Sequence, residues 1–234
     1  MVSLTRRVIP PDFVCEKSVN DKSMAIMTGT IILSAQSLGK KFNRRTILDN
    51  ISFYLSAPSS LALTGKNGSG KSTLCKMIAG ILEPSAGSVS IRWEGQIGSA
   101  AQCIGLVAPY LNLYDEFTAA ENIRFLSRIR SRMPNEKRFR ILMEQVNLWK
   151  RRDDEVGTFS SGMKQKLKYV FALVHEPPVL VLDEPTSNLD DDGVRFVGNV
   201  VEDQKRNGLL VVATNDAGES SWCSEQIHLG EHEL

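Results

Sequence analysis

Long apolar runs are missing from this 234-residue chain, where no window approaches the about eighteen uninterrupted apolar residues of a spanning helix. Even the richest segment, YVFALVHEPPVLVL, is broken by His175, Glu176 and two prolines, so a membrane role must run through a partner. An excess of one charge is missing too. With 28 Lys and Arg against 27 Asp and Glu, the chain lacks the electrostatic footprint of a nucleic-acid binder, and no nucleic-acid partner is expected. The four cysteines, Cys15, Cys75, Cys103 and Cys223, are scattered. They form no CxxC pair and no metal-ligand spacing, and read as reduced thiols of a cytosolic protein. Arg6 and Arg7 hint at a targeting signal, but Pro10, Pro11 and Asp12 cut the apolar stretch that one needs. Residues 1–28 are therefore expected to form a disordered tail, with Met24 or Met27 as an alternative start.

What the chain does have is a hydrophobic content of 42%, enough for one sizeable core, and residues 29–234 are expected to form one domain with subdivisions. From residue 30, apolar strands alternate with helical stretches. TIILSAQSL, ILDNISFYLS, SLALTG, GSVSIRW, IGLVA, VLVLDE, LLVVATN and EQIHLG read as strands. KSTLCKMIAGIL, TAAENIRFLSRIR, EKRFRILMEQV, SGMKQKLKYVFALVHE and the region of VRFVGNVVEDQKRN read as helices, and Thr118 with Glu121 makes a TxxE capping box. The pattern predicts an α/β fold with a helical subdomain of about residues 110–176 inserted in the core.

Residues 65–72, GKNGSGKS, match GxxxxGK[ST] directly after a strand and at the opening of a helix. Gly65, Gly68 and Gly70 let the backbone wrap phosphates closely, while the amides and the helix dipole point at the anion. Lys66, Asn67 and Ser69 complete that loop. Lys71 is expected to reach the β and γ phosphates, the Ser72 hydroxyl to ligate Mg²⁺, and Thr73 to add a hydrogen bond. VLVLDEP carries Asp183 and Glu184 to the end of a buried strand, where two carboxylates are costly without a cation. Asp183 is therefore read as close to Mg²⁺, and Glu184 as facing an attacking water. In FSSGMKQ, Ser160 is a sound helix N-cap, and Ser161 and Gly162 leave the helix amino end open to an anion. Taken alone, the stretch is better explained as an ordinary cap, since serine is a common capping residue. The apolar run LLVVAT stops at Asn215, which either ends a strand or faces a ligand crevice.

Together these motifs, in this order over residues 30–230, resemble the nucleotide-binding subunit of ABC transporters. GKNGSGKST is similar to the Walker A loop, FSSGM to the LSGGQ signature, VLVLDE to the Walker B strand and residues 187–190, SNLD, to the D-loop with its Asp190. The resemblance implies a P-loop NTPase core with a parallel sheet, an antiparallel β subdomain and an inserted helical subdomain. It also implies ATP and Mg²⁺ as cofactors, adenine stacked on Phe42, and a homodimer formed on ATP binding, in which Ser160 and Gly162 contact the γ phosphate held by the other copy. The expected partner is a separate transmembrane permease, placing the chain in the cytoplasm, peripheral on the inner face of the membrane. The family's Q-loop Gln position falls on Pro109, which has no side-chain oxygen, and that contact is lost or passes to water or Tyr110. PYLNLY reads as a partner-docking surface or as loop packing. The family's switch His position is Asn215, whose amide can donate to a γ-phosphate oxygen but cannot titrate. His175, His228 and His232 read as surface or packing residues. The short chain and LALTGKNGSGKSTL also resemble small exporter ATPases, including the haem-exporter type of cytochrome c maturation. A soluble, low-turnover nucleotide-binding module is the alternative.

Overall fold

The computed structural model describes residues 30–129 and 134–230. The expected tail over 1–28, with Cys15, Met24 and Met27, lies outside the described residues, as does His232. Strands β1 (Ile32–Phe42), β2 (Arg45–Ser56) and β3 (Ser59–Thr64) lead into helix α1 (Lys71–Ile78). Strands β4 (Ala86–Trp93) and β5 (Gln96–Ile97), helix α2 (Ala100–Cys103) and strand β6 (Ile104–Val107) follow. Helices α3 (Ala119–Ile129), α4 (Glu136–Gln145) and α5 (Ser161–Leu173) come next. The chain returns through β7 (Val179–Asp183), α6 (Asp191–Asn207), β8 (Leu209–Ala213), α7 (Ala217–Ser220) and β9 (Glu225–His228).

Two sheets result, an antiparallel one in the order β2-β1-β4-β5 and a parallel one in the order β6-β7-β8-β3-β9. The antiparallel strands are amphipathic. In β1, Leu33, Ala35 and Leu38 turn inward, and the solvent side carries Gln36, Ser37 and Lys41. By contrast β7 and β8, reading VLVLD and LLVVA, are buried at every position, as parallel strands covered on both faces must be.

The strand period of two divides these residues between two cores. Val179, Val181, Leu209 and Val211 pack with Leu33, Leu55, Leu74 and Ile78 between the sheets and α1. Leu180, Leu182, Leu210 and Val212 pack with Leu167, Val170, Leu142 and Val197 from α5, α4 and α6. The helical block therefore shares a continuous core with the parallel sheet. The TxxE capping box forms as read: Glu121 accepts from the Thr118 backbone N–H at 2.9 Å, and Thr118 Oγ1 accepts from the Glu121 N–H at 3.1 Å. Among the described residues, no helix is long and apolar enough to cross a membrane.

Candidate active site

The parallel register brings three strand ends together. Asp183 at the end of β7 lies opposite Ala213 of β8, the Glu184 N–H donates to Ala213 O at 2.9 Å, and the Thr214 N–H donates to Leu63 O of β3 at 3.0 Å. Gly65, Glu184 and Asn215 thus leave the sheet along one edge, where a parallel α/β sheet opens its ligand crevice.

At the end of β3 the backbone turns sharply, and glycine is required for steric reasons. Gly65 has φ of 142°, and a Cβ there would stand 2.4 Å from Leu229 O. Gly70, the cap residue of α1, has φ of 101°, and its Cβ would meet Leu48 at 2.8 Å. The loop between them curls around Lys71, which is buried and donates through Nζ to Gly65 O at 2.6 Å and Lys66 O at 3.1 Å. The loop carbonyls hold the ammonium group beneath the opening of α1, where a polyanion would compete for it. Asn67 sits at the rim and accepts from Asn215 Nδ2 at 3.2 Å. This contact places the two asparagines across the mouth of the loop.

Asp183 is 1% exposed, and neither of its carboxylate oxygens has a hydrogen-bond partner. Burial raises its pKa above the ordinary range, and Glu184 adds to the rise. Ser72, Lys71 and Lys76 oppose it, with Ser72 facing the carboxylate outside hydrogen-bond geometry. The Ser69 and Tyr110 hydroxyls are likewise buried without a partner. Orphaned oxygens around a buried carboxylate suit a hard cation and its phosphate or water ligands. Next to Asp183, Glu184 is exposed and adopts φ of 50°. That left-handed conformation is uncommon for a residue with a side chain and costs on the order of 1–3 kcal/mol, a form of strain that clusters at functional sites.

The other candidates stand farther along. Phe42 ends β1, 46% exposed, with Lys40 Nζ 5.2 Å from its ring centroid. Ser160 caps α5, accepting from the Met163 N–H at 3.3 Å. A Cβ on Gly162 would stand 2.9 Å from Asn188 O, so the start of α5 adjoins the 187–190 turn. Asp190 caps α6 by accepting from the Gly193 N–H at 2.8 Å and pairs with Lys166 at 2.8 Å.

Residues 48–187, more than half of the chain, match the family described as ABC transporter. The chain belongs to the ABC transporter family. Linearmycin resistance ATP-binding protein LnrL of Bacillus subtilis (strain 168) is 33% identical over 79% of this chain and 61% of its own length. Nod factor export ATP-binding protein I of Burkholderia pseudomallei (strain 1710b) is 37% identical over 76% of this chain and 60% of its own length. The chain thus spans about three-fifths of these two curated relatives. The solved structure of an ATP-binding subunit of an ABC transporter superposes with a TM-score of 0.75 at 27% identity, covering 85% of each chain.

The roles of Cys75 and Lys168 beside this ABC-family site were not legible in the motifs. Tyr110, a candidate for the lost Q-loop contact, directly follows Pro109, and its ring lies 4.1 Å from Lys76 Nζ. Burial, with Cys75 and Asp183 close by, raises the pKa of its hydroxyl and keeps it a protonated donor. Cys75 is itself pushed well up by burial and by Asp183, which makes it a packing residue rather than a nucleophile. Lys168 of α5 holds the Pro109 segment, donating to Ala108 O at 3.2 Å and Pro109 O at 3.3 Å. An amphipathic helix carrying lysines at 164, 166 and 168 reads as solvated, so periodicity gave no signal for this role.

Proposed function

We propose that this chain binds and hydrolyses ATP and drives a separate membrane permease. The observation that carries this reading is the meeting of the 65–71 loop, Asp183, Glu184 and Asn215 at the carboxyl ends of β3, β7 and β8. The loop amides and the start of α1 bind the phosphates, and Lys71 leaves the loop carbonyls for the β and γ oxygens, stabilising charge that grows in the transition state. Ser72 and the orphaned Asp183 carboxylate fit Mg²⁺, which when bound neutralises phosphate charge. Glu184 orients or deprotonates the attacking water, and Asn215 donates to the γ phosphate in place of Asn67. Phe42, left largely exposed, offers its face to adenine. Ser160, Ser161 and Gly162 at the start of α5, with Asp190 beside them, serve the nucleotide of a second copy, which makes the working form an ATP-bound homodimer.

The permease docks on the segment that begins at Pro109. A groove of about 490 Å³ lies there, lined by Leu111, Leu113, Tyr114, Asp115, Lys164 and Gln165 among others. Tyr114, Phe117 and Phe125 form an aromatic cluster beside it, with ring centroids 5.3–5.6 Å apart, and aromatics are frequent interface anchors. This contact would hold the chain at the inner face of the membrane. Export is the favoured direction, since one relative is named for Nod factor export. Haem export is a narrower reading, supported by the resemblance of LALTGKNGSGKSTL to small exporter ATPases.

Pro109 and Asn215 favour a second reading, a nucleotide-binding module with little turnover. Lys71→Ala separates binding from its absence: nucleotide affinity, measured by fluorescent ATP titration, should fall beyond detection. Unchanged affinity would remove the loop from the account. Mg²⁺-dependent phosphate release by the wild type at about 1 s⁻¹ or faster, the ordinary enzymatic range, decides against the low-turnover module.

A further inference from the structure

Glu219 lies one short turn beyond Asn215 on α7, and it is buried, 7% exposed. Its two oxygens serve two different strand ends. Oε1 accepts from the Thr186 N–H at 3.2 Å and from Thr186 Oγ1 at 2.5 Å, while Oε2 accepts from Thr214 Oγ1. Thr186 stands two residues after Glu184 and one before the 187–190 turn. Thr214 is the neighbour of Asn215. The same knot continues on both sides: Thr214 Oγ1 accepts from the Asp216 N–H at 2.9 Å, Asp216 Oδ1 accepts from the Glu219 N–H at 2.9 Å, and Tyr169 Oη of α5 donates to Pro185 O at 2.8 Å. Among the described residues Glu219 has no ion-pair partner, so three donors from two loops satisfy the buried carboxylate.

That arrangement needs an acceptor on both oxygens. A carboxylate offers acceptors only, whereas an amide offers one oxygen and one NH₂. With its oxygen toward Thr186, a glutamine would aim its NH₂ at Thr214 and deprive the Thr214 hydroxyl of its acceptor. Thr214 Oγ1 can accept from that NH₂ on its second lone pair, so the isosteric change reverses the polarity of one arm and leaves the Thr214 proton without its acceptor, while preserving volume.

We propose that Glu219 is a positioning residue that locks the Glu184 turn and the Asn215 tip in one register, so that both reach a bound nucleotide as a unit. This inference rests on the ATPase reading given above. Glu219 itself touches no substrate. Its effect passes through Thr186 to Glu184 and the 187–190 turn, and through Thr214 to Asn215, so it acts on the chemical step and not on the loop that binds phosphates.

The test is steady-state ATP hydrolysis with Mg²⁺ by the wild type, Glu219→Gln, Thr186→Val, Thr214→Val and the Thr214→Val Glu219→Gln double variant, with thermal melting of each. Glu219→Gln should lower kcat by about 10- to 10²-fold, the scale of an ångström-size misplacement, with KM for ATP within about twofold and the melting midpoint close to wild type. Thr214→Val should lower kcat similarly, and the double variant should fall little further than either single change, because both act on the same arm. If Glu219→Gln keeps wild-type kcat, or loses kcat only in proportion to a lowered melting midpoint, Glu219 is a packing residue and the inference is wrong. A wild type without turnover, beside a Lys71→Ala variant that binds ATP equally well, would instead sink the ATPase reading itself.

Discussion

At the residue scale the site is built from groups that suit a ligand better than they suit each other. Asp183 is the sharpest case, a buried carboxylate with two unpartnered oxygens. Burial raises its pKa, so its contribution to stability is fully present below its unfolded value near 4 and is lost as pH rises through the higher folded value. Ionisation of the buried carboxylate therefore destabilises the nucleotide-free protein as pH rises. Asp183→Asn should raise the melting temperature of the nucleotide-free protein at pH 7 by about 2–4 °C, the shift that about 1 kcal/mol makes at this size, while removing Mg²⁺-dependent turnover. A lowered midpoint would show that Asp183 has a structural partner. Asn215 makes a second prediction. Its amide is held by Asn67, and a donor aimed at developing charge is typically worth about 10²- to 10³-fold in rate. Asn215→Ala should lose that much in single-turnover hydrolysis while binding ATP normally, and Asn215→His should acquire a limb in its pH-rate profile near neutrality that the wild type lacks. Hydrolysis by the Ala variant at the wild-type rate would reduce Asn215 to a strand terminator.

At the element scale, helix α5 ties the site to the segment proposed for docking. Lys164 pairs with Asp115 at 2.7 Å, Lys166 with Asp190 at 2.8 Å, and Lys168 holds the 108–109 carbonyls. The segment is fixed from the other side by Asn122 of α3, fully buried, whose Oδ1 accepts from the Tyr114 N–H at 2.8 Å and whose Nδ2 donates to Tyr114 O at 2.9 Å and Thr118 O at 3.1 Å. Asn122→Ala should cost about 1–3 kcal/mol in urea unfolding, since it leaves buried backbone groups unpaired, and a cost near zero would mean that water replaces the amide. The elements themselves were legible where local signals were strong: VLVLD and LLVVA as apolar strands, GKNGSGKS between strand and helix, Thr118 with Glu121 as a cap. Short elements escaped. Residues 100–103 carry no period long enough to mark a helix, and α7 escaped although Asp216 and Glu219 have the DxxE spacing of a helix start. In the structure Asp216 does cap α7, but the Glu219 carboxylate turns away to Thr186 and Thr214, partners 33 and 5 residues distant in sequence. No local pattern encodes that choice.

At the scale of the whole molecule, the start of α5 is the part of the proposed site that the account leaves incomplete in a single chain. It opens beside the 187–190 turn, and the account completes it with the nucleotide of a second copy. Glu184→Gln keeps the shape of the turn while removing the carboxylate proposed to activate water, so on this account ATP should bind, persist and hold two copies together. The deciding measurement is light scattering coupled to size exclusion on this variant with ATP and Mg²⁺. The account predicts a species of twice the 25.9 kDa of the chain that returns to the single mass without nucleotide; a single-chain mass at saturating ATP would contradict it.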